Sequence, residues 1–107
     1  MRTRNTNDAM RFLERLTGGR LTLGRALEAI RLGEEESQVD FARRLGISKA
    51  HLCDIEKGRK TVSPERAARF ARILGYGEKQ FIRLGLQDHL SRAGLKFRVD
   101  IRAIRAA

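Results

Sequence analysis

Residues 37–58 read SQVDFARRLGISKAHLCDIEKG. Ser37 and Gln38 offer a hydroxyl cap and a polar first turn. Gly46 can take the left-handed backbone that ends a helix sharply. Between these signals, Val39, Phe41, Ala42 and Leu45 supply an inner side. Ser48 is placed to cap a second helix running to Lys57. In that helix Leu52 and Ile55 are three residues apart and share a face, with Ile47 as a further anchor in the turn. Small Ala42 matters because a bulky side chain there would hold the second helix away from the first. These residues predict two short amphipathic helices, closely packed and joined by Gly46-Ile47-Ser48.

That layout is a helix-turn-helix, whose second helix enters the major groove of DNA. With Leu52 and Ile55 turned inward, the opposite face carries Lys49, Ala50, His51 and Asp54. Lys49 suits guanine acceptors, His51 can donate or accept, and Asp54 can accept from a cytosine amine. Ala50 can touch a thymine methyl or allow close approach. Each good base contact is worth about 1–3 kcal/mol of discrimination. Gln38, Arg43, Arg44, Ser48, Lys57, Arg59 and Lys60 are the expected phosphate contacts, positioning the helix without reading sequence.

Composition agrees with a polyanion partner. The 107 residues hold 23 Lys+Arg against 13 Asp+Glu, a formal charge of +10, which attracts phosphates and favours counterion release. Cys53 is the single cysteine, so no disulfide forms within the chain, and a lone thiol suits the reducing cytoplasm. The longest apolar stretches are too short to span a membrane. The opening MRTRNTNDAM has no apolar signal core, so no export leader is expected.

The flanks read as further helices. Asp8 is a cap for a short helix with Ala9, Phe12, Leu13 and Leu16 on one face, stopped by Gly18-Gly19. Thr22 opens another, with Leu23, Ala26, Leu27 and Ile30 at helical spacing and Gly33 at its end. GRKTV is a loop. Ser63-Pro64-Glu65 then starts a helix with Ala67, Phe70, Ala71 and Leu74 inward and Gly75 as its stop. A fifth main helix is expected from Glu78 to about Ala93, with Phe81, Ile82, Leu86, Leu90 and Ala93 on a broad apolar side. In Lys96-Phe97-Arg98-Val99-Asp100-Ile101-Arg102, apolar and charged residues alternate strictly, which predicts a half-buried strand. One strand cannot make a sheet. Phe97, Val99 and Ile101 are therefore expected to join a second subunit or another protein. A single domain results: an N-terminal extension over 1–21, a helix-turn-helix core over 22–75, and a C-terminal helix and strand over 76–107.

The spacing resembles the Cro and phage-repressor class, the xenobiotic-response-element (XRE) family. The matching residues are Arg31, Ser37-Gln38, Phe41-Ala42, Gly46-Ile47-Ser48, Leu52 and Ile55-Glu56-x-Gly58, within about Leu23 to Leu74. The resemblance implies an all-α, five-helix, lambda-repressor-like domain. Here it would carry an extra N-terminal helix and the short C-terminal strand. It also implies a homodimer on palindromic double-stranded DNA, and a structural ion pair between Arg31 and Glu56. Glu34, Glu35 and Glu36 depart from the pattern, because acids beside the motif would repel phosphate. The expected function is a transcriptional repressor. The alternative is an antitoxin of the HigA type, which binds a toxin protein and represses its own operon.

Catalysis has weak support. His51 and His89 fall on different predicted helices. Asp88-His89 reads as a partly solvated pair, and His51-x-Cys53 lacks a second ligand pair for zinc. Gly18-Gly19 follows no strand, so it is no phosphate loop. No enzyme, metal or cofactor is expected, and a small basic ribonuclease is the remote alternative.

Overall fold

The computed structural model describes residues 21–105. It contains five helices in this order: α1 Leu23–Gly33, α2 Gln38–Leu45, α3 Lys49–Glu56, α4 Pro64–Leu74 and α5 Glu78–Arg92. The helix expected between Asp8 and Gly18 lies outside the described residues. Among the described residues no strand forms.

Four of the five helices begin on a hydroxyl cap. Thr22 Oγ1 accepts from Arg25 N at 3.1 Å, Ser37 Oγ from Asp40 N at 3.1 Å, Ser48 Oγ from His51 N at 3.0 Å and Ser63 Oγ from Arg66 N at 3.2 Å. Each satisfies one of the amides that a helix start leaves without an internal partner. Gly46 ends α2 with φ 76°, a conformation that penalises any residue bearing a Cβ. Its N–H and that of Ile47 close back onto Arg43 and Ala42 carbonyls, which sets α3 sharply across α2.

One buried cluster draws side chains from every helix, including Leu23 and Leu27, Phe41 and Leu45, Leu52 and Ile55, Phe70, and Phe81 and Leu84. α4 packs along α5, and α3 lies against both α1 and α2. The α1–α3 contact is unusually close. A Cβ built on Gly24 would stand 2.0 Å from the Ile55 carbonyl oxygen, so only a hydrogen fits there. Gly85 likewise lets α5 approach the Val62 carbonyl. α5 is also tied to α1 by a side chain: Asp88 Oδ2 accepts from Leu23 N at 2.9 Å, capping a second amide of α1.

Three expectations are corrected. Val39, expected inward, is 46 % exposed; α2 buries only Phe41, Ala42 and Leu45. On α5 the buried positions are Phe81, Leu84 and Gly85, with Ile82 partly packed and Ala93 lying beyond the helix as its exposed C-cap. The third is the strand. Residues 95–105 leave the helical path without forming a ladder. Val99 and Ile101 are half-buried, while Phe97 is 69 % exposed. The amide of Gln87 brackets this tail: its Nε2 donates to Phe97 O and its Oε1 accepts from Val99 N, both at 2.8 Å. A side chain thus stands where a neighbouring strand would. Alternation in sequence reports a pleated, half-buried segment, but a ladder needs a second backbone, and α5 offers none.

Candidate nucleic-acid interface

The buried side of α3 is Leu52, Ile55 and Glu56. Its other side presents Lys49 and Ala50, both exposed, and His51 and Asp54, both partly exposed. After α3 come Lys57, Gly58, Arg59 and Lys60, all exposed. A short helix with an apolar seat and a solvent-facing polar ridge, followed by a cationic loop, is the local geometry.

A polar knot sets the angle of that ridge. Arg31 at the end of α1 reaches Glu56 at the end of α3 in a forked pair, Nε to Oε2 at 2.8 Å and Nη2 to Oε1 at 3.1 Å. Its Nη1 donates to the Glu36 carbonyl at 3.1 Å, and Gln38 Nε2 donates to Glu56 Oε1 at 2.9 Å. Three helices meet on a carboxylate whose side chain is 2 % exposed, and Arg31 ties the turn at Glu36 to them. The hydrogen bonds with Glu56 push the Arg31 guanidinium above its usual range, against the opposing effect of burial. Forked geometry and full satisfaction of the carboxylate allow such a pair to be buried.

Several residues expected at phosphates already have partners. One of the two N–H bonds of the Gln38 amide is used on Glu56. The Ser48 oxygen accepts from His51 N, leaving its hydroxyl proton to donate. Arg43 meets Asp40 at 3.2 Å with both side chains mostly in water, a weak pair that a phosphate can displace. Arg44 is different. It pairs with Glu34 at 2.7 Å and with Glu36, and its guanidinium lies 5.6 Å from the centre of the Phe41 ring. Hydrogen bonds to those acids, Glu34 foremost, raise its pKa. This accounts for the acidic run before α2: Glu34 and Glu36 hold an arginine, and Glu35 takes the left-handed position of the turn at φ 56°.

Asp54 is also engaged. Its Oδ1 accepts from Arg59 Nε at 2.9 Å, Lys60 Nζ lies 3.7 Å from Oδ2, and its backbone carbonyl accepts from Arg59 N at 2.8 Å. The Arg59 bond holds the Asp54 carboxyl below the usual carboxylate range. Arg59 Nη2 also donates to Cys53 Sγ at 3.8 Å. Asp54 therefore organises the basic loop, and accepting from a cytosine would mean releasing Arg59.

Arg66, on α4, was not singled out by sequence. Its Nη1 stands 3.5 Å from His51 Nδ1. A guanidinium only donates, so a hydrogen bond here requires Nδ1 to accept, with the imidazole proton on Nε2. Burial, then Arg66 and Lys60, lower the His51 pKa. No spacing rule links residues 51 and 66; the loop from Lys57 to Ser63 brings them together. His89 has a structural use as well. It meets Thr61 Oγ1 and the Val62 carbonyl, each at 3.3 Å, joining α5 to that loop.

The helix-turn-helix domain family model matches residues 22–81, more than half of the chain. The chain belongs to this helix-turn-helix domain family, a class of DNA-binding modules. No curated protein and no solved structure matches it. Among the described residues, no helix is long and apolar enough to cross a membrane, and no group of three or more His, Cys, Asp or Glu is placed to hold a metal ion.

Proposed function

We propose that this protein is a sequence-specific transcriptional repressor that reads operator DNA with α3 in the major groove. The observation that carries the reading is the ridge of exposed Lys49 and Ala50 and partly exposed His51, seated on buried Leu52 and Ile55 and followed by the cationic run Lys57, Arg59 and Lys60. The ridge is rich in donors. Lys49 offers an ammonium, and His51, with Nδ1 turned to Arg66, offers Nε2–H. Asp54, the acceptor of the set, is held by Arg59. Such a face favours guanine N7 and O6 and thymine O4, with Ala50 admitting a thymine methyl. Arg43, Lys57, Arg59 and Lys60 then grip phosphates on either side. Two copies on a palindrome would place their α3 helices about 34 Å apart, one turn of DNA.

The test starts from a duplex selected out of a random pool by the purified protein. Lys49→Ala and His51→Ala should each weaken binding to that duplex by about 1–3 kcal/mol, with a smaller loss on non-specific DNA. Unchanged preference in both variants would remove α3 as the reader.

Exposure of Phe97 and Ile104 in the tail supports a second reading, an antitoxin whose tail engages a toxin while α3 represses the operon. Co-purification with the product of an adjacent reading frame separates the two. An RNA-cleavage assay run beside the gel shift tests the ribonuclease alternative.

A further inference from the structure

We infer that the tail around Val99 pairs, antiparallel, with the same tail of a second copy of this chain, in a register centred on Val99. The inference deepens the paired-copy reading above and rests on it.

The Gln87 amide grips Phe97 O and Val99 N from the α5 side. A donor and an acceptor in one amide bridge the carbonyl of one residue and the N–H of the second residue after it when that backbone is extended, as a residue of a parallel neighbour does. A second observation agrees with the period of two: Arg102 Nε reaches Asp100 Oδ2 at 3.6 Å, so these two side chains share a face. In extended chain the N–H and C=O groups of odd and even residues point to opposite edges. The edge carrying residues 97 and 99 is turned to Gln87. The other edge belongs to Arg98 and Asp100, whose main chains have no hydrogen bond among the described residues. It is an open edge of extended backbone, and such an edge templates pairing with another chain.

Charge selects the partner and the register. In a two-fold antiparallel pair centred on Val99, Arg98 faces Asp100 of the second copy, and Asp100 faces its Arg98. These are the hydrogen-bonded positions, supplied by the open edge. Val99 meets its own copy, and Phe97 meets Ile101, at the positions between. Centring on Arg98 would set two guanidinium groups against each other, and centring on Asp100 would oppose two carboxylates. In the Val99 register the like-charged pair is Lys96 with Arg102, at the ends, where long side chains splay into water. The pairing also covers Phe97, which is 69 % exposed in the single chain.

The experiment is mass measurement by light scattering on the full chain without DNA, across a concentration series. The wild type should be a dimer. Arg98→Asp and Asp100→Arg should each raise the dimer dissociation constant about tenfold, because each creates two like-charged cross-strand pairs. The double swap Arg98→Asp with Asp100→Arg should restore the dimer, which loss of folding could not do. A monomeric wild type overturns the paired-copy reading itself. A dimer indifferent to both single changes overturns the tail edge and leaves dimerisation to another surface. Loss in the single variants without rescue by the double overturns the register. Binding of one α3 to a half-site is read in parallel, so failure of the DNA reading is seen separately.

Discussion

Glu56 is the side chain on which the geometry of α3 converges. It takes three hydrogen bonds, two from Arg31 and one from Gln38, at a buried position. Glu56→Gln keeps the volume and removes the charge, leaving the Arg31 guanidinium without its counter-ion. The expected loss is about 3–5 kcal/mol of stability, as for breaking one side of a buried pair. It should be read as a lower denaturant midpoint at unchanged slope. His51 makes a pH-dependent contribution of known sign. Burial and the nearby cations depress its folded pKa below the ordinary 6.5. The unfolded chain therefore binds the proton first as pH falls through that value, and stability drops across the window down to the folded pKa. Measured as urea midpoints, wild type should lose stability relative to His51→Asn below about pH 6.5, with a constant difference above it. A constant difference across the whole range would show that His51 titrates as it does in the unfolded chain.

At the scale of elements, the helices were legible and their closest contacts were not. Ser37, Gly46, Ser48, Ser63-Pro64 and Gly75 mark helix ends by local chemistry, and local chemistry is what a sequence displays. Gly24 carries no such signal. It sits inside α1, where glycine costs about 1 kcal/mol relative to alanine, and its reason lies 31 residues away in the Ile55 carbonyl. Gly24→Ala should destabilise the fold by about 1–3 kcal/mol through overpacking. Because the displaced atoms belong to α3, it should also weaken operator binding where the variant is still folded. Gly33→Ala, with nothing within 4 Å of its Cβ, is the matched control and should be neutral or mildly stabilising. Equal effects at the two positions would dismiss the close contact. The tail was misjudged for a related reason. The alternation in Lys96 to Arg102 was visible, but its partner, the Gln87 side chain, was not.

For the molecule as a whole, a formal charge of +10 does not say which cations are free to face DNA. Arg44 is held by Glu34 and Glu36, Arg31 by Glu56, and Arg72 meets Glu78 at 3.3 Å. The acids of the sequence could be counted, but which cations they neutralise depends on the fold. The solvent-facing ridge was legible because it is what remains of α3 once Leu52 and Ile55 are buried. The engagement of Asp54 with Arg59, and the approach of Arg66 to His51, were not legible, because a loop makes both. Among the loop cations, Arg59 is held mainly by one partly exposed acid, Asp54, and can exchange it for a phosphate. Arg59→Ala should weaken all duplexes alike and lower the slope of log affinity against log salt by about 1. Titrations at several salt concentrations measure this, and an unchanged slope would take Arg59 off the phosphate backbone.

The contact between Gly24 and the Ile55 carbonyl also bears on how sequences of this kind can diverge. An ion pair such as Arg31–Glu56 can drift, because a change in one partner can be answered by a change in the other. A main-chain oxygen has no alternative side chain to mutate to. No second substitution opposite residue 24 can make room for a methyl group without moving α3 itself. Descendants that keep this helix spacing should therefore keep glycine there even where the charged knot has been replaced. Those that gain a side chain at position 24 should hold α3 at a different angle against α1.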